Sequence, residues 1–558
     1  MFGQIVRKVA FALAAGLLLL PACFSQSRAL NGTVEGIVTN SSAQPVSGAF
    51  VKLKNADRRL TFMVISQADG HFVADKLPPG SYTVQGVGAG FESSWSEAVD
   101  VVEGKPGKVN LSLTTKEGPM LAPAWPGKTP EYGGEDPSSD NLPDGKGQQL
   151  VSERCSTCHS TSVVANSRKD RETWKRTIST MRRNMKDANL KDLSEEEADT
   201  ILNYVAINFP PLPKPDPNSR LPRTLMKGEA TRYKVVEYDL VNTKAETHDI
   251  AVDPDGTGWA NQRVGGLVGR LDPSTLEYSE INPPLTKGQA VRPGNLQISS
   301  QGIMWLPDGG DGNRWLSYDI KNAKWTSYPY PTTMRAHAGG NTMAIAPDGV
   351  IWNSGPGAAR SFNPKTGEWK NYDSPTWLKS GGNPGGYGIA VATDGMVWFA
   401  EEAIDKMARV DPKTGKVEEF KIPISGVALP RRLAADTHDN VWVGLWSAGK
   451  LLKIDSETAE MSVYTPPSEN SGAYSVSVDK TNDLIWVNLH RVDKIARFNP
   501  RTKEWVEFPL PQAESDVRRI EVDQHHPNRI WFSGVGDSAG DGQARMGYIE
   551  LLEGAATK

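Results

Sequence analysis

The sequence predicts a multidomain protein with a small β-sandwich, a small all-α domain and an all-β seven-bladed propeller. Three observations support this fold class. Residues 31–114 alternate apolar and polar positions between turn signals, as short strands do. Residues 143–209 place apolar side chains at helical spacing. From residue 229 onward a tryptophan-centred pattern recurs about every 45 residues, the length of a propeller blade of four short strands.

The composition excludes several classes of protein. Among 558 residues, 53 Gly and 39 Pro favour turn-rich β structure over long helices. The 62 basic and 66 acidic residues give a net charge of −4, without the basic excess typical of nucleic-acid-binding proteins. Beyond the N-terminus, no stretch approaches the ~18 apolar residues that a transmembrane helix needs. We therefore expect no nucleic-acid partner and no transmembrane segment.

The N-terminal residues 1–29 have the features of a secretory signal peptide. Arg7 and Lys8 form a positive region before the short apolar run 11–20, and Ala29 is a plausible cleavage position. Lipidation at Cys23 is the alternative. The mature protein is expected to be periplasmic or secreted, either soluble or held by a lipid anchor.

Residues 30–114 are predicted to form the β-sandwich. Alternating segments such as Phe50-Val51-Lys52-Leu53 are separated by turns such as Asp69-Gly70. The segment resembles carboxypeptidase regulatory-like domains in Gly36-Ile37-Val38, in Asp69-Gly70-His71-Phe72 and in Leu77-Pro78-Pro79-Gly80-Ser81-Tyr82. This resemblance implies a non-catalytic accessory module.

Two segments rich in Pro and polar residues, 115–142 and 210–228, are predicted linkers on either side of residues 143–209. Within 143–209, helices are predicted over 173–185 and 194–209. The second begins with a capping box, because Ser194 can cap the helix and Glu197 follows three residues later.

The motif Cys155-Ser156-Thr157-Cys158-His159 is the strongest chemical signal in the chain. This C-x-x-C-H spacing marks the covalent attachment of c-type haem: two thiols bond the vinyl groups, and the following imidazole reaches the iron as proximal ligand. A thioredoxin-like redox motif is the alternative, but the βαβ context that it requires is absent from the sequence. The sequence therefore predicts one covalent haem c, with Cys155 and Cys158 as thioethers and His159 as iron ligand.

The distal iron ligand is expected downstream of the motif. Methionine is a common partner of histidine in cytochromes, and the segment offers Met181 and Met185, which share a helix face with Trp174. The segment resembles small class I c-type cytochromes in Trp174, Met181, the cap at 194–197 and Tyr204. The resemblance implies Met181 as distal ligand, with Met185 as the alternative.

Residues 229–555 are predicted to form the propeller. One tryptophan recurs in each of seven repeats and is expected in the core between blades: Trp259, Trp305, Trp352, Trp398, Trp442, Trp486 and Trp531. Six outer strands follow these positions, and the seventh, 233–240, precedes the first of them. The N-terminal strand is therefore expected to complete the last blade, which removes an open sheet edge.

The repeat resembles the virginiamycin B lyase family in Tyr387-Gly388-Ile389-Ala390, in Asp394-Gly395-Met396-Val397-Trp398-Phe399 and in Arg409-Val410-Asp411-Pro412. The resemblance implies ring opening of a cyclic depsipeptide, with Mg²⁺ held by acidic residues and a histidine base. Glu401 stands at the position of a metal-binding carboxylate, whereas Tyr387 stands where a catalytic histidine is expected.

Candidate catalytic residues on the propeller are therefore His248, His337, Tyr387, Glu401 and His490, with Glu401 also a candidate Mg²⁺ ligand. Three further residues could face the same opening: Glu402, Asp308 and Arg431. Loops of different blades converge on one pocket in such a ring, although their residues are far apart in sequence.

Three functions are consistent with the sequence. The first is an exported electron-transfer protein, whose haem exchanges electrons with a redox partner protein or a small-molecule substrate at the propeller. The second is a metal-dependent lyase acting on a cyclic ester or related substrate. The third is a non-catalytic module that binds a glycan or protein and carries a haem sensor.

Overall fold

The structure is a computed structural model. It describes residues 30–121, 142–155, 164, 169–187, 191–211, 215–285, 291–309, 312–332, 334, 340–355, 358–380, 385–535 and 542–552. The predicted signal peptide with Cys23, and the predicted site residues Cys158, His159 and His337, lie outside the described residues.

The N-terminal segment forms the predicted β-sandwich. One sheet has the order β4-β1-β8, with β9 also paired to β1, and the other has the order β10-β6-β5-β2-β3, with β7 also paired to β5. The strands are β1 (Gly32–Asn40), β2 (Phe50–Asn55), β3 (Leu60–Ile65), β4 (His71–Leu77), β5 (Gly80–Gly88), β6 (Phe91–Glu92), β7 (Val99–Val101), β8 (Gly107–Lys108), β9 (Leu111–Leu113) and β10 (Thr115–Lys116). Val34 and Val38 of one sheet and Leu53, Phe62 and Val84 of the other form a buried core.

The helical segment contains α1 (Gln148–Leu150), which continues into a π-helical turn (Val151–Cys155), then α2 (Arg171–Asp187) and α3 (Glu195–Asn208). The predicted capping box is confirmed: the Glu197 amide donates to Ser194 Oγ at 3.1 Å, and the Ser194 amide donates to Glu197 Oε2 at 2.7 Å. Among the described residues, no helix combines the length and apolar character needed to cross a membrane.

A compact apolar cluster holds these helices together. Trp174 of α2 and Val205 of α3 are buried in it, and the Trp174 indole donates to the Phe209 carbonyl oxygen at 3.1 Å. The Tyr204 hydroxyl donates to the carbonyl oxygen of Pro143 at 2.6 Å, which ties the start of the segment to α3. Both helices are thereby fixed by side-chain contacts as well as by their own hydrogen bonds.

The C-terminal part is built from repeated four-stranded antiparallel sheets. Blades one to three comprise β12 (Ile250–Val252), β13 (Gly258–Asn261), β14 (Val268–Leu271), β15 (Tyr278–Ile281); β16 (Gln297–Ile298), β17 (Ile303–Asp308), β18 (Arg314–Asp319), β19 (Lys324–Pro329); β20 (Met343–Ile345), β21 (Ile351–Gly355), β22 (Ala358–Asn363) and β23 (Glu368–Asp373). A short helix, α4 (Pro375–Ser380), follows blade three.

Blades four to six comprise β24 (Gly386–Val391), β25 (Val397–Glu401), β26 (Lys406–Val410), β27 (Val417–Lys421); β28 (Pro430–Ala435), β29 (Asn440–Leu445), β30 (Lys450–Asp455), β31 (Met461–Tyr464); β32 (Ala473–Asp479), β33 (Leu484–Leu489), β34 (Lys494–Phe498) and β35 (Trp505–Pro509). The last blade comprises β36 (Val517–Val522), β37 (Arg529–Gly534), β38 (Arg545–Leu551) and β11 (Tyr233–Asp239). Within the described residues the innermost strands contact one another in ring order, and β12 contacts β36 to close the ring.

Ring closure follows the prediction. Strand β11 pairs antiparallel with β38, from Tyr233 opposite Leu551 to Asp239 opposite Arg545. The seven repeated tryptophans are all buried, none more than 5 % exposed, so their predicted place in the core is confirmed. The N-terminal strand therefore supplies the outer strand that the last blade lacks in sequence.

The second edge of β11 is also paired, which the sequence did not predict. Strand β3 of the sandwich pairs antiparallel with β11, so that Met63 lies opposite Val235 and Leu60 opposite Tyr238. Sandwich and last blade thus share one ten-stranded sheet. This pairing covers an edge that would otherwise expose unpaired backbone groups.

Part of the second predicted linker is packed rather than solvated, because residues 218–221 are buried. Leu221 is buried in an apolar cluster with residues of the sandwich and the propeller. The Arg220 guanidinium contacts Asp493 at 3.3 Å and Glu514 at 2.8 Å. The Leu121 amide donates to the carbonyl oxygen of Ser219 at 2.9 Å, which joins the chain before the helical segment to the chain after it.

Lys52 is buried where sandwich, linker and propeller meet. Its ammonium donates to Asn218 Oδ1 at 2.8 Å and to the Pro511 carbonyl oxygen at 2.7 Å. Burial, together with the nearby charge of Lys54, lowers the pKa of Lys52 from 10.5 to about 7. The protonated lysine therefore costs free energy in the folded state.

We predict that the stability of the full chain rises between pH 7 and pH 9 because of Lys52. Its pKa is about 7 in the folded state and ordinary in the unfolded chain, so the unfolded chain binds more protons in this range. The free energy of unfolding should increase by about 2 kcal/mol over these two pH units, as measured by denaturant titration. Lys52→Met should lose this increase, and an exposed control, Lys116→Met, should keep it. Equal pH dependence in Lys52→Met and the parent chain would contradict the assignment.

Candidate functional site

Five side chains from five blades meet near the axis of the propeller. They occupy equivalent positions at the start of the innermost strand, 11 to 13 residues before the core tryptophan of the same blade. These residues, here called the axial ring, are His248, Tyr387, Arg431, Tyr474 and Arg518. Four of them lie at an irregularity in the pairing of the inner strand with its neighbour, in blades four to seven. Such β-bulges re-aim a side chain, which here brings the four towards one another.

Arg431 is surrounded by aromatic rings. Its guanidinium carbon lies 4.7 Å from the ring centre of Tyr387, 4.8 Å from that of Trp446 and 5.5 Å from that of Tyr474. One amino group donates to Glu402 Oε2 at 2.6 Å. Cation–π contacts and the ion pair together hold this buried charge in a defined position.

His248 is held as a neutral base. Its Nδ1 lies 2.8 Å from Asp249 Oδ1, and its Nε2 lies 3.5 Å from the Tyr387 hydroxyl. Burial, with the positive charge of Arg263, lowers the pKa of His248 well below its usual value. An amino group of Arg432 also lies 3.0 Å from Nδ1, so a carboxylate and a guanidinium both face this nitrogen of the neutral ring.

A second histidine, His490, is neutral for a similar reason. Its Nε2 lies 2.6 Å from Asp516 Oδ1, and its Nδ1 lies 3.4 Å from the indole nitrogen of Trp446. Because indole can only donate, Nδ1 is the acceptor and Nε2 carries the proton. Burial lowers the pKa of His490 to about 4. The ring also stacks on Tyr474 of the axial ring.

The carboxylates next to the axial ring are ionised. Although burial opposes it, Arg432 and the His248 contact hold the pKa of Asp249 well below its usual range. Asp516 is held low in the same way by Arg518, whose Nε lies 2.6 Å from Asp516 Oδ1. The two tyrosine hydroxyls, of Tyr387 and Tyr474, hydrogen-bond each other.

The helical segment contacts the same face of the propeller. The axial ring lies where the chain enters the innermost strands, so this side of the propeller is called the loop face. Lys244 of a loop on this face bonds Asp170 just before α2, and Arg292 of the next such loop donates to Thr180 Oγ1 at 3.3 Å. Helix α2 therefore lies beside blades one and two of the loop face.

Of the sequence-predicted propeller residues, the structure brings together His248, Tyr387 and His490. Arg431 and Glu402 also join this group, whereas Asp308 pairs with Arg314 and accepts a hydrogen bond from the Arg292 amide. His337 lies outside the described residues.

Glu401 points into a different environment from its neighbour Glu402. The Glu401 side chain is fully buried, and the charges that act on it are those of Glu419 and Lys406. Ser374 is close enough to favour the charged carboxylate, but neither oxygen has a hydrogen bond of good geometry to a described residue. Burial and the charge of Glu419 raise the pKa of Glu401 to about 7.

These surroundings do not fit the Mg²⁺ that the lyase resemblance implies. Across the described residues, no group of three or more His, Cys, Asp or Glu side chains is arranged to hold a metal ion. Divalent magnesium prefers several oxygen ligands, and Lys406 lies among the groups around Glu401. We therefore derive no chemistry through a metal at this position.

In the helical segment, Cys155 ends the π-helical turn and packs against the apolar cluster of Trp174. Met185 is 6 % exposed within this cluster, whereas Met181 is half-buried and not among its members. Cys158 and His159 lie outside the described residues. The described part of the segment thus offers a thiol and two thioethers around an apolar cluster.

Several site residues were not found from the sequence, namely Asp249, Arg432, Trp446, Tyr474, Arg491, Asp516 and Arg518. In the sequence alone, charged residues at the start of a strand cannot be distinguished from surface residues. The signal available in the sequence was the distance of 11 to 13 residues to the core tryptophan of the same blade. This distance places Tyr474 and Arg518 at positions equivalent to that of Tyr387.

Comparison with known proteins agrees with this architecture. Residues 285–550 match the virginiamycin B lyase family. The propeller is virginiamycin B lyase-like. Residues 33–114 match the carboxypeptidase regulatory-like domain, which confirms that resemblance. Both matched segments lie outside residues 143–209, so the cytochrome prediction depends on the sequence motif.

Individual relatives are distant. A virginiamycin B lyase from Nocardia farcinica is 26 % identical over 212 residues, covering 33 % of this chain and 73 % of the lyase. The TonB-dependent transporter Oar from Myxococcus xanthus is 28 % identical over 110 residues, and this chain spans only 10 % of that transporter. A streptogramin B lyase structure has a TM-score of 0.50 at 21 % identity, covering 58 % of this chain and all of that one. That likeness shows the propeller fold alone.

We predict that Glu401→Gln stabilises the full chain at pH 8. Because the pKa of Glu401 is about 7 in the folded state, its carboxyl stays protonated at pH values at which the same carboxyl in the unfolded chain has ionised. The free energy of unfolding therefore falls as the pH rises from about 4.3 towards 7. Removing the ionisable group should raise the free energy of unfolding at pH 8 by about 3 kcal/mol, measured by denaturant titration.

Magnesium provides the control for this variant. The melting temperature of the parent chain should not change on adding Mg²⁺, and Glu401→Gln should behave the same way. A Mg²⁺-dependent stabilisation that disappears in Glu401→Gln but persists in Glu402→Gln would contradict our interpretation and support a metal site at Glu401.

Proposed function

We propose that this chain is an exported c-type cytochrome fused to a lyase-like propeller, which transfers electrons to or from a substrate or partner at the loop face. The observation that carries the proposal is the motif Cys155-Ser156-Thr157-Cys158-His159 in a compact helical segment. Export through the predicted signal peptide 1–29 would deliver the chain to the compartment in which thiols are joined to haem.

The residues of the helical segment suit a covalent haem. Cys155 and Cys158 would hold the macrocycle by thioether bonds, and His159 and Met181 would bind the iron. Met185 lies inside the apolar cluster with Trp174, which favours a packing role for it and leaves Met181 as ligand. When bound, the haem supplies one-electron transfer, at a potential set by its axial ligands and by burial.

Contact between α2 and the propeller supports transfer towards the loop face. Thr180, which accepts a hydrogen bond from Arg292, immediately precedes Met181. The ion pair of Asp170 and Lys244 adds a second contact at the start of α2. A haem bound on this helix would therefore be near the face that carries the axial ring.

The two alternatives have less support. The lyase hypothesis has the family match of residues 285–550, but the described residues around Glu401 do not form a metal site. In the other alternative, the same haem would act as a sensor on a binding module and would not exchange electrons with a bound substrate. Reduction of the haem by a bound substrate, followed in a stopped-flow spectrometer, separates electron transfer from sensing.

We predict that the mature protein, expressed with a haem-maturation system, contains one covalent haem per chain. The pyridine haemochrome spectrum measures the amount. Cys155→Ala combined with Cys158→Ala should abolish the covalent signal, because no thiol remains for thioether bonds. A haemochrome signal of unchanged size in the double variant, or a colourless parent protein under reducing conditions, would overturn the assignment.

We further predict that Met181→Ala removes the distal ligand. The charge-transfer absorption band that reports a Met–iron bond should vanish in oxidised Met181→Ala and persist in Met185→Ala. The matched Met185→Ala change should instead lower the stability of the helical segment by about 2–5 kcal/mol, since it opens a cavity in the cluster. Loss of the band only in Met185→Ala would assign the ligand to that residue.

A further inference from the structure

The axial ring combines two guanidinium groups, two phenols and one imidazole, with no carboxylate among its five members. Its carboxylate partners come from adjacent positions: Glu402 bonds Arg431, Asp516 bonds Arg518, and Asp249 bonds His248. A ring of this composition offers hydrogen-bond donors and positive charge towards the axis. It is suited to an acceptor with negative charge.

Charge around the ring is positive among the described residues. Both histidines are neutral, because burial lowers their pKa values. Six guanidinium groups meet four carboxylates here: Arg263, Arg431, Arg432, Arg491, Arg518 and Arg519, against Asp249, Glu402, Asp516 and Glu521. Asp249 is shared by Arg432 and Arg519. Low-dielectric surroundings strengthen such a positive field and its attraction for anions.

The arginines of the ring keep contact with solvent. Side-chain exposure is 22 % for Arg518 and 11 % for Arg431, whereas that of their partners Asp516 and Glu402 is 6 % and 9 %. Guanidinium groups present several donors in a plane, the geometry that matches a carboxylate. Arg518 is therefore the more accessible of the two charged residues of the ring.

The ring is asymmetric. Blades two and three carry Gly294 and Asn341 at the positions equivalent to the ring residues, so the described part of the chain places no large side chain there. The same side is next to Arg292, the residue that contacts α2. A ligand on the ring would thus lie between the cationic blades and the side on which the helical segment sits.

We propose that the axial ring binds a small organic acid through its carboxylate, with Arg431 and Arg518 as the charged contacts. This inference deepens the proposed function, since it names the chemical class of the substrate at the loop face. Binding of the acid to the axial ring would not require the haem.

Calorimetric titration of the full-length protein at low ionic strength tests the proposal, with malonate as the probe. We expect saturable binding of malonate and none of malonamide, its neutral analogue. Arg431→Gln and Arg518→Gln should each weaken malonate binding by about tenfold or more, since each removes a charge-assisted contact. Sulfate is the second anion, and binding of sulfate as tight as that of malonate would overturn the assignment to a carboxylate.

Arg409→Gln is the matched control. Arg409 also lies over aromatic rings, those of Trp398 and Phe420, and pairs with Glu418, but it belongs to β26 and not to the axial ring. Malonate binding should be unchanged in this variant. No saturable binding by the parent chain, or equal affinity in Arg518→Gln, would refute the proposal. Melting temperatures exclude loss of fold, and Arg518→Gln, the more exposed position, serves if Arg431→Gln does not fold.

Haem loading separates this proposal from the proposed function. The Cys155→Ala, Cys158→Ala chain should bind malonate with the parent affinity. If the parent protein binds malonate but contains no haem, the electron-transfer function is refuted and the anion site is supported. If the parent protein contains haem but does not bind malonate, the anion site is refuted and the haem assignment is supported.

Discussion

The backbone pairing on both edges of β11 is the constraint on which the rest of the structure depends. Strand β11 precedes every blade in sequence but lies in the last blade in space, where β38 pairs with one edge and β3 with the other. The first pairing closes the ring, and the second joins the sandwich to it. Without closure, blade one would not be held against blade seven, and His248 would not meet Tyr387 of blade four and Arg432 of blade five.

The axial ring shows how a repetitive fold produces a non-repetitive site. Every blade provides an equivalent position at the start of its innermost strand, yet the residues there differ in size, charge and hydrogen-bonding capacity. Bulges in blades four to seven turn these positions inwards. The core tryptophans maintain the shape of each blade, while variation at one position per blade gives the face its chemistry.

Signals in the sequence predicted the blades, the second long helix of the helical segment and the pairing of β11 with β38, but not the pairing of the sandwich with the ring. The tryptophan period fixed the blades, and Ser194 with Glu197 fixed the start of α3. The pairing of β3 with β11 could not be inferred, because any exposed strand edge presents the same donors and acceptors. Arg432 and Arg518 resemble surface residues until their strands converge. Glu401 and Glu402 are neighbours in sequence, and only the turn after β25 determines that Glu402 is the one that reaches Arg431.

The hydrogen bond between Leu121 and Ser219 has a consequence for how this architecture could have arisen and how it can be altered. It brings the two ends of the helical segment to adjacent points, so the segment is topologically an insertion into a framework made of sandwich and propeller. Insertions with neighbouring ends can be exchanged without breaking their host. Another compact domain could be inserted between these two residues and held at high effective concentration over the same face.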